Sequence, residues 1–111
     1  MIKIVSRPEL LDRMNEGAVL VEALPEKYYQ DWHLPGARHM PHDQVRQLAA
    51  TVLPNKSAPV VVYCASDTCQ NSHIAARQLM QLGYTDVAVY AGGKKDWSEA
   101  KLPVESPAVT A

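Results

Sequence analysis

Pro59-Val60-Val61-Val62-Tyr63-Cys64 is the most β-prone run in the chain, and its reading decides the fold. Four of its six residues are β-branched or aromatic, and no polar residue alternates with them, as expected for a strand covered on both faces in a parallel sheet. A second such run, Ala18 to Ala23 (AVLVEA), lies upstream. Shorter ones lie at Ile2 to Val5 and Val87 to Tyr90, with a short extended segment at Arg38 to Met40. Helical patterns stand between them. Ser6 and Glu9 form a capping-box pair ahead of Leu10, Leu11 and Met14, with Gly17 at the end. Pro25 opens a short helix bearing Tyr28, Tyr29 and Trp32, and His33-Leu34-Pro35-Gly36-Ala37 breaks it. Val45, Leu48, Ala49 and Val52 repeat at helix spacing from Asp43 onward. Asn71 or Ser72 is the expected cap of a helix carrying Ala75, Leu79 and Leu82, and Gly92-Gly93 precedes a last helix with Trp97.

Strands alternating with helices predict βαβ crossovers. The expected fold is therefore α/β, a single three-layer domain with a parallel sheet of about five strands flanked by helices. It spans residues 1–104, with 105–111 as a Pro-punctuated flexible tail. Sheets of this kind bind ligands outside the carboxyl ends of their strands. Cys64 stands at that end of the most central strand.

The whole composition narrows the partners. The 111 residues are 47% hydrophobic and 21% charged, with net charge -1. That suits one core, and the scattered Lys and Arg leave no basic stripe for nucleic acid. No apolar run approaches the ~20 residues of a membrane span, and the start MIKIVSRPELL does not read as a signal peptide. The chain reads as cytoplasmic. Two cysteines make no disulfide framework, and in a reducing compartment such a pair points toward catalysis or redox chemistry.

The segment Cys64-Ala65-Ser66-Asp67-Thr68-Cys69-Gln70-Asn71-Ser72 runs from strand end to helix start. Loop amides curling toward the sulfur, with the positive end of the helix behind them, would hold Cys64 as a nucleophilic thiolate. The plainer alternative is a small apolar residue finishing a strand. Cys69 reads as a resolving or second thiol, as the nucleophile itself, or as a loop residue without a partner. His73 reads as a proton donor or an exposed helix residue. Cys64, Cys69 and His73 are three zinc-type ligands without a fourth, so no metal is expected.

With these pieces in order, the chain resembles the single-domain rhodanese-like sulfurtransferases from Ile2 to about Val104. The resemblance rests on the HLPGA turn, the VVVYC strand, Ser72-His73-Ile74-Ala75-Ala76, Leu82-Gly83-Tyr84 with Val87, Gly92-Gly93 with Trp97, and Leu102-Pro103. It implies Cys64 as catalytic cysteine, the following loop of Ala65, Ser66, Asp67, Thr68, Gln70, Asn71 and Ser72 as substrate-binding, and His33 as a residue that fixes its turn. The implied reaction moves sulfane sulfur from a small-molecule or protein donor (thiosulfate, polysulfide or persulfide) to a thiol or cyanide through a Cys64 persulfide. It implies no cofactor, and a monomer or weak homodimer.

Many members place Arg five residues after the cysteine; this chain has Cys69 there, and no Lys or Arg between Cys64 and Ser72. Glu22 stands where Asp is common and Leu24 where Arg follows, so the family's ion-pair network is expected to be missing. Arg38, His39 and His42 form either a cationic rim to the site or solvated loop. The rival readings are a non-catalytic binding or redox-sensing module using Cys64 and Cys69, and a cysteine phosphatase or arsenate reductase. The latter lacks its oxyanion-clamping Arg, since the first Arg after Cys64 is Arg77.

Overall fold

All four residues of strand β4 (Val60–Tyr63) are buried in the computed structural model, which describes residues 2–106. Because side chains alternate along a strand, Val60 and Val62 face one helix layer while Val61 and Tyr63 face the other. That two-sided burial is why the run carries no polar alternation.

The remaining strands are β1 (Lys3–Val5), β2 (Val19–Glu22), β3 (Arg38–His39) and β5 (Val87–Tyr90). They form one five-stranded sheet in the order β1-β5-β4-β2-β3, with every pairing parallel and β4 in the middle. Among the described residues four helices connect them, α1 (Arg7–Asn15), α2 (Glu26–Asp31), α3 (Val45–Val52) and α4 (Asn71–Gln81), and α5 (Gly93–Glu99) follows β5. Val45 and Ala49 of α3 pack with Ala75, Ala76 and Leu79 of α4 over Val21, Val60, Val62, Val87 and Val89. Leu10 of α1 and Trp97 of α5 cover the opposite face with Leu20, Val61, Tyr63, Ala88 and Tyr90. The expected three layers are present.

The Ser6 capping box forms as expected, with Ser6 Oγ accepting from Glu9 N–H and Glu9 Oε1 accepting from Ser6 N–H. Two helix starts differ from their sequence reading. Helix α3 begins at Val45 rather than near Asp43, behind Gln44. Helix α4 begins behind Gln70, which supplies no side-chain cap, and Ser72 is buried instead of capping.

The tail boundary also shifts. Glu105 pairs with His33 through two backbone hydrogen bonds of 2.8 and 2.9 Å, and Ser106 Oγ donates to Asp31 C=O. These contacts extend the packed chain past residue 104, because Glu105 completes the backbone pairing that His33 lacks within its turn. The rest of the expected tail, 107–111, lies outside the described residues.

Candidate active site

Cys64 ends β4 at the sheet's carboxyl edge and is only 1% exposed. Its thiol lies 3.3 Å from Ser72 Oγ and 3.5 Å from the Cys69 carbonyl, and it donates toward both. Ser72 reaches it because α4 turns its first residues back over the strand end.

These surroundings run against the expected stabilisation of a thiolate. Burial, the largest effect, pushes the Cys64 thiol above its ordinary value; the adjoining Cys69 side chain pushes the same way, and the Ser72 hydroxyl and amide oppose them. Loss of water around the sulfur outweighs two donors. The bowl of loop amides is also smaller than expected, since Cys69 N–H is turned back to Ser66 C=O at 3.0 Å. Cys64 is thus a buried thiol whose surroundings favour the protonated form.

Of the expected loop residues, Ala65, Asp67, Thr68 and Gln70 are exposed, while Ser66, Cys69 and Asn71 are half-buried. Ser66 and Thr68 hydroxyls lie 3.1 Å apart. Both cysteines are free. His73 is half-buried on the first turn of α4. Among the described residues no three His, Cys, Asp or Glu side chains gather in a way that would hold a metal ion, so the Cys64, Cys69 and His73 grouping does not assemble.

The strand end is fixed from the other side by α5. Lys94 and Lys95 N–H groups donate to the carbonyls of Cys64 and Ala65 at 2.9 and 2.8 Å. Gly93 makes this close approach possible: its φ is +61°, and a Cβ there would lie 2.4 Å from the Cys64 carbonyl oxygen. Lys94 then sends its side chain inward. Its ammonium lies 3.0 Å from Glu22 Oε1, donates to Tyr28 C=O at 2.7 Å and sits 4.7 Å from the Trp32 ring centre. Tyr63 OH donates to Glu22 Oε1 and accepts from Leu34 N–H.

An ion pair therefore exists where none was expected, since Lys94 supplies the cation that Leu24 cannot. Burial raises the Glu22 carboxyl, and Lys94 and Tyr63 oppose the shift. Sequence reasoning missed Lys94. The available signal was Glu22 itself, since a carboxylate closing the apolar run AVLVEA needs a buried donor.

The HLPGA turn is held as expected. His33 Nδ1 donates to Tyr29 C=O at 2.9 Å, and the two rings stack at 3.9 Å. The cationic rim does not form as a unit. Arg38 bonds Val52 C=O and lines a cavity with Val19, Pro54 and Val60, toward the amino ends of the strands and away from Cys64. His39 donates to Leu24 C=O at 2.7 Å.

Comparison with known proteins agrees with this architecture. Residues 6–100 match the Rhodanese-like domain family. Thiosulfate sulfurtransferase PspE of Escherichia coli (strain K12) is 38% identical over 79 residues, covering 71% of this chain and 72% of that protein. A solved rhodanese with anions from E. coli superposes with a TM-score of 0.68 at 31% identity, covering 81% of this chain and 99% of that one. A Bacillus halodurans protein shares the fold more closely, with a TM-score of 0.84 at 22% identity over 94% of this chain and 77% of its own. The chain belongs to the rhodanese-like domain family. Among the described residues no helix is long and apolar enough to cross a membrane.

Proposed function

We propose that this chain is a sulfurtransferase that carries sulfane sulfur on Cys64. The observation that carries the reading is the placement of a free cysteine at the carboxyl end of the middle strand, bonded to Ser72 on the first turn of α4. The positive end of α4 and the Ser72 hydroxyl favour the thiolate once the donor arrives. Displacing the partly exposed loop 65–70 admits that donor.

Cys64 gives up its proton to the departing group and attacks the outer sulfur of the donor. A bond forms between Cys64 Sγ and that sulfur, the donor's S–S bond breaks, and its electron pair leaves with the polysulfide shortened by one sulfur or with the donor's thiolate. An acceptor thiolate or cyanide then attacks the outer sulfur and returns Cys64.

The donor class follows from charge. Between Cys64 and Ser72 the only ionic side chain is that of Asp67, which repels a dianion such as thiosulfate. Donors with less charge concentrated at the transferred sulfur suit the loop better: a polysulfide whose charge is spread along its chain, glutathione persulfide with its carboxylates far from the sulfur, or a protein persulfide. The test is thiocyanate formation from cyanide with polysulfide or thiosulfate as donor. Polysulfide supports turnover, thiosulfate does so poorly, and Cys64→Ser abolishes both. Saturable thiosulfate turnover at low-micromolar concentration would overturn the donor class, and wild-type turnover by Cys64→Ser would overturn the site.

A further inference from the structure

We propose that Cys69 is the exit thiol of this enzyme, taking the sulfane sulfur from Cys64 and presenting it to bulky thiol acceptors. The inference rests on Cys64 as the first sulfur carrier. Three observations lead to it. Cys64 is 1% exposed, so with loop 65–70 in place a persulfide formed there is out of reach of a glutathione-sized nucleophile, and direct transfer to one would need the loop displaced a second time. Cys69 is free and nearer the surface, on the loop that covers Cys64. The Cys64 thiol aims at the Cys69 carbonyl 3.5 Å away, which places the second cysteine's backbone directly against the first sulfur.

The transfer balances without an outside oxidant. Cys69 Sγ attacks the outer sulfur of the Cys64 persulfide; a Cys69 S–S bond forms, the Cys64 S–S bond breaks, and its electron pair returns to Cys64 Sγ. The proton leaving Cys69 ends on Cys64, restoring the neutral thiol that donates to the Cys69 carbonyl and Ser72. Burial favours that direction, because the surroundings of Cys64 favour a protonated sulfur there. The acceptor thiolate next attacks the outer sulfur on Cys69, and Cys69 leaves as its thiolate.

The test separates acceptors by size. The full chain is loaded with inorganic polysulfide, freed of excess donor and mixed with glutathione or with cyanide; timed samples are alkylated and fragmented to assign the sulfur to residue 64 or 69. Wild type shows sulfur on both residues. Cys69→Ser and Cys69→Ala load Cys64 normally, yet pass sulfur to glutathione roughly tenfold or more slowly while transfer to small, linear cyanide stays within about twofold. A merely structural role would slow both acceptors together and would overturn the proposal. Unchanged glutathione transfer in the Cys69 variants would also overturn it, leaving Cys64 as carrier intact. A Cys64–Cys69 disulfide formed with release of sulfide would overturn it as well, since attack would then fall on the inner sulfur. Loading of Cys69 at the wild-type rate in Cys64→Ser would instead defeat the reading of Cys64 on which the proposal rests.

Discussion

Lys94 holds Glu22 and Cys64 at once: its ammonium lies 3.0 Å from Glu22 Oε1 while its backbone N–H donates 2.9 Å to the Cys64 carbonyl. Glu22 is fully buried and the Lys94 side chain only 10% exposed, so neither charge is left to water. Removing one partner leaves the other uncompensated, at a cost of about 3–5 kcal/mol. Lys94→Met is expected to lose that much in urea denaturation at pH 7, and the double variant Glu22→Gln/Lys94→Met to recover much of it.

The same variant carries a pH signature. Glu22 already titrates above an ordinary carboxyl because of burial, and loss of Lys94 raises it further. A group with a raised folded-state value contributes most below its unfolded value and loses that contribution as pH rises through the folded one. Lys94→Met therefore gains stability relative to wild type as pH falls from 7 toward 5. A constant difference across that range would contradict the pairing.

Cys64 gives a second titration. Its thiol is raised by burial, so iodoacetamide alkylation is slower at pH 7 than for a free thiol and keeps rising above the ordinary range near ~8.5. Ser72→Ala removes a group that favours the thiolate and shifts the profile to higher pH. The linked stability is full below the unfolded value and declines as pH rises through the higher folded one.

Gly93→Ala tests the close approach of α5 to the reactive strand end. Gly36 also has a positive φ, of 75°, but open space around it, so Gly36→Ala registers backbone strain alone, about 1–2 kcal/mol. Gly93→Ala adds the clash with the Cys64 carbonyl. It is expected to cost more in thermal denaturation and to slow sulfur loading, which Gly36→Ala leaves unchanged.

Tyr63→Phe removes a hydroxyl that serves both Leu34 N–H and Glu22 Oε1. The buried amide and carboxylate are left short of partners, for an expected loss of roughly 1–3 kcal/mol by urea midpoint.

The sheet was legible because continuous apolar β-prone runs and helical signals are local: the VVVYC run, the Ser6 and Glu9 box and the Gly92-Gly93 turn each carry their own instruction. The position of Cys64 followed from that order. Its ionisation did not. Whether the Cys69 amide faces the sulfur or Ser66 C=O depends on loop torsions that residue spacing leaves open. Ser72 reads as a cap from sequence because hydroxyls favour helix starts, yet tertiary packing turns it to Cys64. Lys94 and Glu22 meet only through the fold, as do His33 and Glu105.

The most direct measurement is residue-resolved mass spectrometry of the full chain at the earliest times after polysulfide is added. One sulfur atom appearing first on Cys64, and none in Cys64→Ser, is the predicted result. Sulfur appearing first on Cys69, or a chain that stays unmodified while polysulfide labels an exposed control thiol, would contradict Cys64 as the sulfur carrier.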